Sequence, residues 1–282
     1  MKLAMVGPVG QEFPAVLDAD GRLRDLSLVI GRVDQIFTDA NALPRIAQEL
    51  AEGSLPAVEG SPRIGAPLRP GKILCIGLNY GDHAAETGAS VPSEPILFMK
   101  APDTVVGPND DVLIPRGSQK TDWEVELAVV IGREARYLTD DDDALSYVAG
   151  YTICNDVSER AFQKERGGQF DKGKNAETFC PMGPYFVTAD EVPDPQNLRL
   201  TTDVNGVRHQ DGTTADMLFG VAELVRYLSE FVVLRPGDII STGTPSGVAL
   251  GQPDPKPFLR DGDVMELSIE GLGTQRSVLR QA

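Results

Sequence analysis

The stretch Thr121-Asp-Trp-Glu-Val-Glu-Leu-Ala-Val-Val-Ile-Gly132 constrains this chain more than any other. From Trp123 onward it is β-branched and aromatic, free of proline and closed by Gly132, the pattern of a strand. Alternation puts Trp123, Val125, Leu127 and Val129 on one face, and Glu124 and Glu126 on the other with the apolar Ala128 and Val130. At a rise of about 3.3 Å per residue the two Glu side chains start roughly 7 Å apart. If that face is solvated, the pair is ordinary surface. If it is buried, the two acids repel each other and lose hydration unless a cation lies between them. Hard divalent ions, Mg²⁺, Mn²⁺ or Ca²⁺, suit such oxygens.

A second apolar run, Tyr147-Val-Ala-Gly-Tyr-Thr-Ile-Cys-Asn-Asp156, ends in an acid that can join them from a neighbouring strand end. With 282 residues the chain can bury a large core, in one large domain or a small one plus a large one. A net charge of −16 argues against nucleic acid and anionic membrane as partners, since both select basic patches. It also means that an anionic substrate needs local Lys, Arg or metal. Cys75, Cys154 and Cys180 are odd in number and widely spaced, which predicts buried, reduced thiols and a cytoplasmic setting. No secretory signal fits the N-terminus, and no apolar run suits a membrane span.

Residues 13–18 and 22–27 flank the turn Ala19-Asp-Gly21 as a hairpin, and Ala42 to Glu52 has helical periodicity with Gly53 as its stop. The Pro- and Gly-rich stretch 54–70 reads as a linker, which predicts a small β-rich N-terminal domain over 1–68 and a larger one over 69–282. In the latter, Lys72 to Asn79 is a buried strand candidate, residues 139–144 an acidic helix start, and 167–184 a mobile loop. Asn205-Gly206 signals a hairpin, Met217 to Phe231 a helix, and 264–279 a final hairpin. The predicted class is α+β, mostly β.

Of the two histidines, His83 lies three residues before Glu86, so one helical turn makes them neighbours. A carboxylate beside an imidazole fixes its tautomer and raises its basicity, as a base acting on water requires. Lys174 is either a solvated loop lysine or a cation brought over an anionic intermediate. His209, after a hairpin turn, reads as exposed.

Together the order Gly77-Leu-Asn-Tyr80, His83-x-x-Glu86, Phe98-Met-Lys100, Glu124-x-Glu126, Asn155-Asp-Val-Ser-Glu-Arg160, Lys174, Pro184 and Thr242-Gly-Thr-Pro245 resembles the fumarylacetoacetate hydrolase family, over about residues 70–280. The resemblance implies a mixed β-sandwich roll in a homodimer, behind a variable N-terminal domain. It implies Mg²⁺ or Mn²⁺ on Glu124, Glu126 and Asp156, catalytic roles for His83, Glu86 and Lys174, and substrate contacts from Lys100, Arg160, Gln163 and Thr244. Relatives acting on short oxo-acids carry Arg where this chain has Leu78, so one cation is missing from the pocket. That points to the branch with hydrolases of 2,4-diketo-3-deoxy sugar acids. The expected reaction is metal-dependent cleavage of the C3–C4 bond of a 2,4-dioxo acid, giving pyruvate and a second acid. Its alternatives are decarboxylation of a 2-oxo diacid such as oxaloacetate, isomerisation of a dienol acid, and a metal-binding protein with an inactive site.

Overall fold

The computed structural model describes residues 1–282. The run beginning at Thr121 lies at the centre of a ten-stranded sheet, where Val125–Ile131 pairs antiparallel with Val148–Asn155 on one side and with Ile239–Ser241 on the other. Ile73–Gly77 and Ile96–Lys100 complete that edge, the former parallel to Ile239–Ser241. Beyond Val148–Asn155 come Phe186–Thr188, Lys2–Val6, Phe13–Leu17 and Leu23–Asp25. A second sheet runs Val207–Thr213, Arg199–Val204, Val264–Ile269, Gly273–Gln281 and Val112–Ile114.

Alternation along the central strand sends its two faces into two cores. Val125, Leu127, Val129 and Ile131 pack with Leu200, Met265 and Leu267 of the second sheet, forming the interior of a sandwich. Ala128 and Val130 pack on the opposite face with Leu3, Met5 and Ile46. Glu124 and Glu126 continue that second face, so both are buried. The solvated-face alternative is thereby removed, and the pair needs compensation.

The first 68 residues share this architecture. Lys2–Val6 pairs with Phe186–Thr188, and Ile64–Gly65, within the expected linker, pairs with Lys2–Val6. The helix Ala42–Glu52 ends at Gly53, and the 205–206 hairpin and the last hairpin form as expected. Two expectations need correction. Residues 139–144 start no α-helix: Asp142 accepts hydrogen bonds from the backbone N–H and hydroxyl of Thr139, and this local turn outcompetes helix before a short 3₁₀ turn, Ala144–Tyr147. The 167–184 stretch is not featureless, since it contains the helical turn Asp171–Lys174 and the short strand Cys180–Pro181. No helix is long and apolar enough to cross a membrane.

Candidate active site

Register assembles the three acids. Pairing Val125 with Asn155 puts Asp156 beside Glu124, and the Asp156 N–H donates to the Glu124 carbonyl at 2.9 Å. One oxygen from each of Glu124, Glu126 and Asp156 lies within 4.8 Å of the others, and all three residues are buried. The Asp156 carboxylate accepts from Lys100 Nζ at 2.7 Å on one oxygen and from Lys174 Nζ at 2.6 Å on the other. Glu124 accepts from Arg160 at 2.6 Å and from Lys174. Arg160 is in turn held by Asp122 at 2.8 Å.

Glu126 differs from its partners. Its protein donors are the Ser241 hydroxyl at 2.6 Å and the Gly243 N–H at 3.0 Å, both to Oε2, and no cation touches it. In this buried set the acids Asp122, Glu124, Glu126 and Asp156 meet only Lys100, Arg160 and Lys174, one positive charge short. The ionisation follows the same imbalance. Burial, then the like charges of Asp156 and Glu124, push the Glu126 carboxyl well above its ordinary range. Burial pushes Glu124 upward too, but Arg160 and Lys174 outweigh it and hold that group below the usual carboxylate range. Lys174, which burial alone would neutralise, is kept charged by Asp156 and Glu124. An all-oxygen, buried donor set with an uncompensated carboxylate fits a hard divalent ion, so the triad could coordinate a metal.

The expected base lies on the short helix Gly81–Glu86, where His83 Nδ1 is 2.8 Å from Glu86 Oε1. Glu86 is anchored by the Gly247 N–H at 2.9 Å on its other oxygen. The pairing engages Nδ1 and leaves Nε2 as the ring nitrogen free to act. Just before this helix, Leu78 adopts φ 54°, a left-handed conformation uncommon for a residue with a branched side chain. Asn79 pins the turn by donating to the Thr242 and Phe219 carbonyls at 2.8 and 3.0 Å. Gly243 permits that close approach, because a Cβ there would lie 2.8 Å from the Asn79 Cβ.

A cavity of about 230 Å³ brings these groups together. Its polar wall includes His83, the three carboxylates, Arg160, Gln163, Lys174 and Thr244, while Leu78, Phe98 and Phe170 contribute to an apolar wall. Lys174 is buried against the acids rather than solvated on a loop. Its position depends on Gly173, where a Cβ would come within 2.6 Å of the Gln163 Cβ and the Glu159 carbonyl. Lys100 departs from expectation. It does not line the cavity, because its ammonium is engaged by Asp156, the Val157 carbonyl and the Lys174 carbonyl, which take up its three donors. His209 is also not free on the surface, since its ring packs against Trp123 with centroids 4.8 Å apart.

Asp122 was not singled out from sequence. It positions Arg160 and also accepts from the Ala249 and Leu250 N–H groups at 2.7 and 3.0 Å, tying the cavity wall to the strand start. Its place two residues before Glu124 extended the alternating acids, and that was the available signal.

A family model described as fumarylacetoacetate (FAA) hydrolase, C-terminal, matches residues 72–280. The chain belongs to the fumarylacetoacetate hydrolase family. Among FAA hydrolase relatives, the 2,4-didehydro-3-deoxy-L-rhamnonate hydrolase of Sphingomonas sp. (strain SKA58) is 52% identical over 277 residues, 98% of this chain and 95% of that one. The solved fumarylacetoacetate hydrolase from psychrophilic Exiguobacterium antarcticum matches with TM-score 0.87 at 34% identity over 100% of both chains. The 5-carboxymethyl-2-hydroxymuconate delta-isomerase from Mycobacterium smegmatis matches with TM-score 0.75 at 30% identity, over 100% of this chain and 99% of that one. The chain is thus an FAA hydrolase family enzyme of carbon–carbon bond chemistry, with the sandwich fold of its solved relatives.

Proposed function

We propose that this chain is a metal-dependent hydrolase that cleaves the C3–C4 bond of a 2,4-dioxo-3-deoxy sugar acid, releasing pyruvate and a second, hydroxylated acid. The observation that carries the reading is that His83, paired with Glu86, lines the same cavity as the carboxylate triad. Hydrolysis needs both a base that activates water and an anion-stabilising centre, whereas decarboxylation and isomerisation need no water nucleophile.

In this reading Glu124, Glu126 and Asp156 hold Mg²⁺ or Mn²⁺. When bound, that ion supplies Lewis acidity and positive charge against a developing enolate. His83, oriented by Glu86, takes a proton from the water that adds to C4. Lys174 sets a second positive charge near the developing oxyanion, and Arg160 and Gln163 orient the substrate. Thr244 is held by its hydrogen bonds to the Val125 carbonyl and Gln210, both at 2.8 Å, and lines the far wall. Leu78 puts a hydrocarbon surface where a cation would anchor a second carboxylate, which favours neutral substrate tails.

The same reading makes the enzyme a cytoplasmic homodimer with 69–282 as its catalytic unit. Three buried thiols with no disulfide are suited to a reducing compartment. The test is a panel of synthetic 2,4-dioxo-3-deoxy sugar acids, acetylpyruvate, oxaloacetate and dienol diacids. Loss of enol absorbance is followed together with pyruvate release. Turnover of the sugar acids with equimolar pyruvate supports the reading. Isomerisation of a dienol acid without pyruvate would replace it with the isomerase alternative.

A further inference from the structure

The cavity wall contains three cations, but two are spoken for. Arg160 is tied to Asp122, Glu124 and Gln163, and Lys174 to Glu124 and Asp156. The third, Lys164, ends the helical turn Arg160–Lys164 and forms no ion pair and no side-chain hydrogen bond. It lines a second hollow of about 260 Å³ as well, and Arg160 and Leu250 are common to both walls, so the two spaces adjoin. That outer hollow gathers Lys120, Arg160, Lys164 and Lys256 against Glu165 and Asp254, a cationic excess on a chain of net charge −16. Two of these are held in place: Lys120 pairs with Glu165, and Lys256 donates to the Leu250 and Gln252 carbonyls. Partial burial first, then the like charge of Arg160, disfavours the Lys164 ammonium, against the attraction of Glu124 and Asp122, and Lys256 adds to the repulsion. An arriving anion offsets the repulsion from Arg160 and Lys256.

We infer that Lys164 is the substrate-recruiting cation of this site, drawing the carboxylate of a small oxo-acid from the Lys120–Lys256 hollow into the cavity. The inference rests on the reading of the cavity as an oxo-acid site, but not on which reaction follows. A chain this acidic repels small anions at long range, and one free cation at the junction of the two hollows counters that where it matters. Because Lys164 is assigned to capture, its loss belongs in KM and in salt dependence, not in kcat.

The experiment is calorimetric titration of oxalate into the Mn²⁺-loaded protein at low and high ionic strength, for the parent, Lys164→Met, Lys164→Arg and Lys164→Glu. The expected result is about a tenfold loss of oxalate affinity in Lys164→Met at low salt, a larger loss in Lys164→Glu, retention in Lys164→Arg, and a gap that narrows as salt screens the charge. Equal oxalate affinity in the parent and Lys164→Met, or a loss that Lys164→Arg fails to avoid, overturns the assignment. Should no dioxo acid be hydrolysed while oxalate binding still depends on Lys164, the hydrolase reading fails and this one stands.

Discussion

Replacing His83 with Ala separates the chemistry from binding. The imidazole touches Glu86 through Nδ1, whereas the hydrogen bonds that hold Glu124, Glu126 and Asp156 come from Arg160, Lys100, Lys174, Ser241 and Gly243. Glu86 keeps its anchor on the Gly247 N–H after the substitution, so the short helix retains that attachment. The carboxylate triad is therefore left intact, and the deficit falls on proton transfer. A positioned general base contributes about 10²–10⁴-fold, so kcat should fall by that factor, equivalent to about 3–5 kcal/mol of barrier. KM and the affinity for oxalate, a mimic of pyruvate enolate, should stay within about twofold. The assay pairs steady-state pyruvate release with oxalate titration of the metal-loaded variant. A kcat within about threefold of the parent, or an oxalate affinity that collapses with the imidazole, would refute the assignment of His83 to water activation.

Glu126→Gln should weaken Mg²⁺ or Mn²⁺ binding yet leave the chelator-treated protein at least as stable as the parent in thermal melts, because it removes the one carboxylate of the triad without a cation. A markedly lower melting temperature would contradict the charge imbalance drawn around the triad. Leu78→Arg should raise kcat/KM for oxaloacetate and narrow a preference for dioxo sugar acids expected to be about tenfold or more in the parent. Oxaloacetate as the best substrate of the parent would mean that Leu78 was misread. His209 has its pKa lowered by burial against Trp123, so the folded state favours the neutral ring. Its contribution to stability is present above the ordinary histidine pKa, near 6.5, and is lost as pH falls through the lower folded value. His209→Phe should accordingly show a smaller drop in melting temperature between pH 7 and 5 than the parent, and an equal drop would exclude His209 as a source of acid sensitivity.

Much of this was legible because period and chemistry coincide in the same residues. Alternation along 123–131 dictates which side chains share a face, and the acids of that face had to be either solvated or compensated. Their burial, which depends on His83, Phe98, Arg160, Phe170 and Lys174 gathering around that end of the face, is a tertiary fact outside the 121–132 stretch. His83 and Glu86 were legible for the same local reason, since a single helical turn suffices to join them. Lys100 was not. Whether a lysine at a strand end reaches a cavity or a buried carboxylate depends on the approach of Asp156 and Lys174 from distant segments. The 167–184 stretch read as a loop because Gly167, Gly168 and Gly173 signal breaks, yet Gly173 is there to let Asp171–Lys174 pack on the preceding helical turn. Lys164 carried no sequence signal at all, because it stands out only once Arg160 and Lys174, the other cations of the cavity wall, have been matched to their acids.

The central claim is that the triad Glu124, Glu126 and Asp156 holds a metal on which carbon–carbon cleavage depends. Its most direct test is pyruvate release from a 2,4-dioxo-3-deoxy sugar acid by protein stripped with chelator, before and after adding Mg²⁺ or Mn²⁺. The account predicts that chelation abolishes release and that either ion restores it, with one pyruvate formed for each enol lost. Full turnover in excess chelator would contradict it.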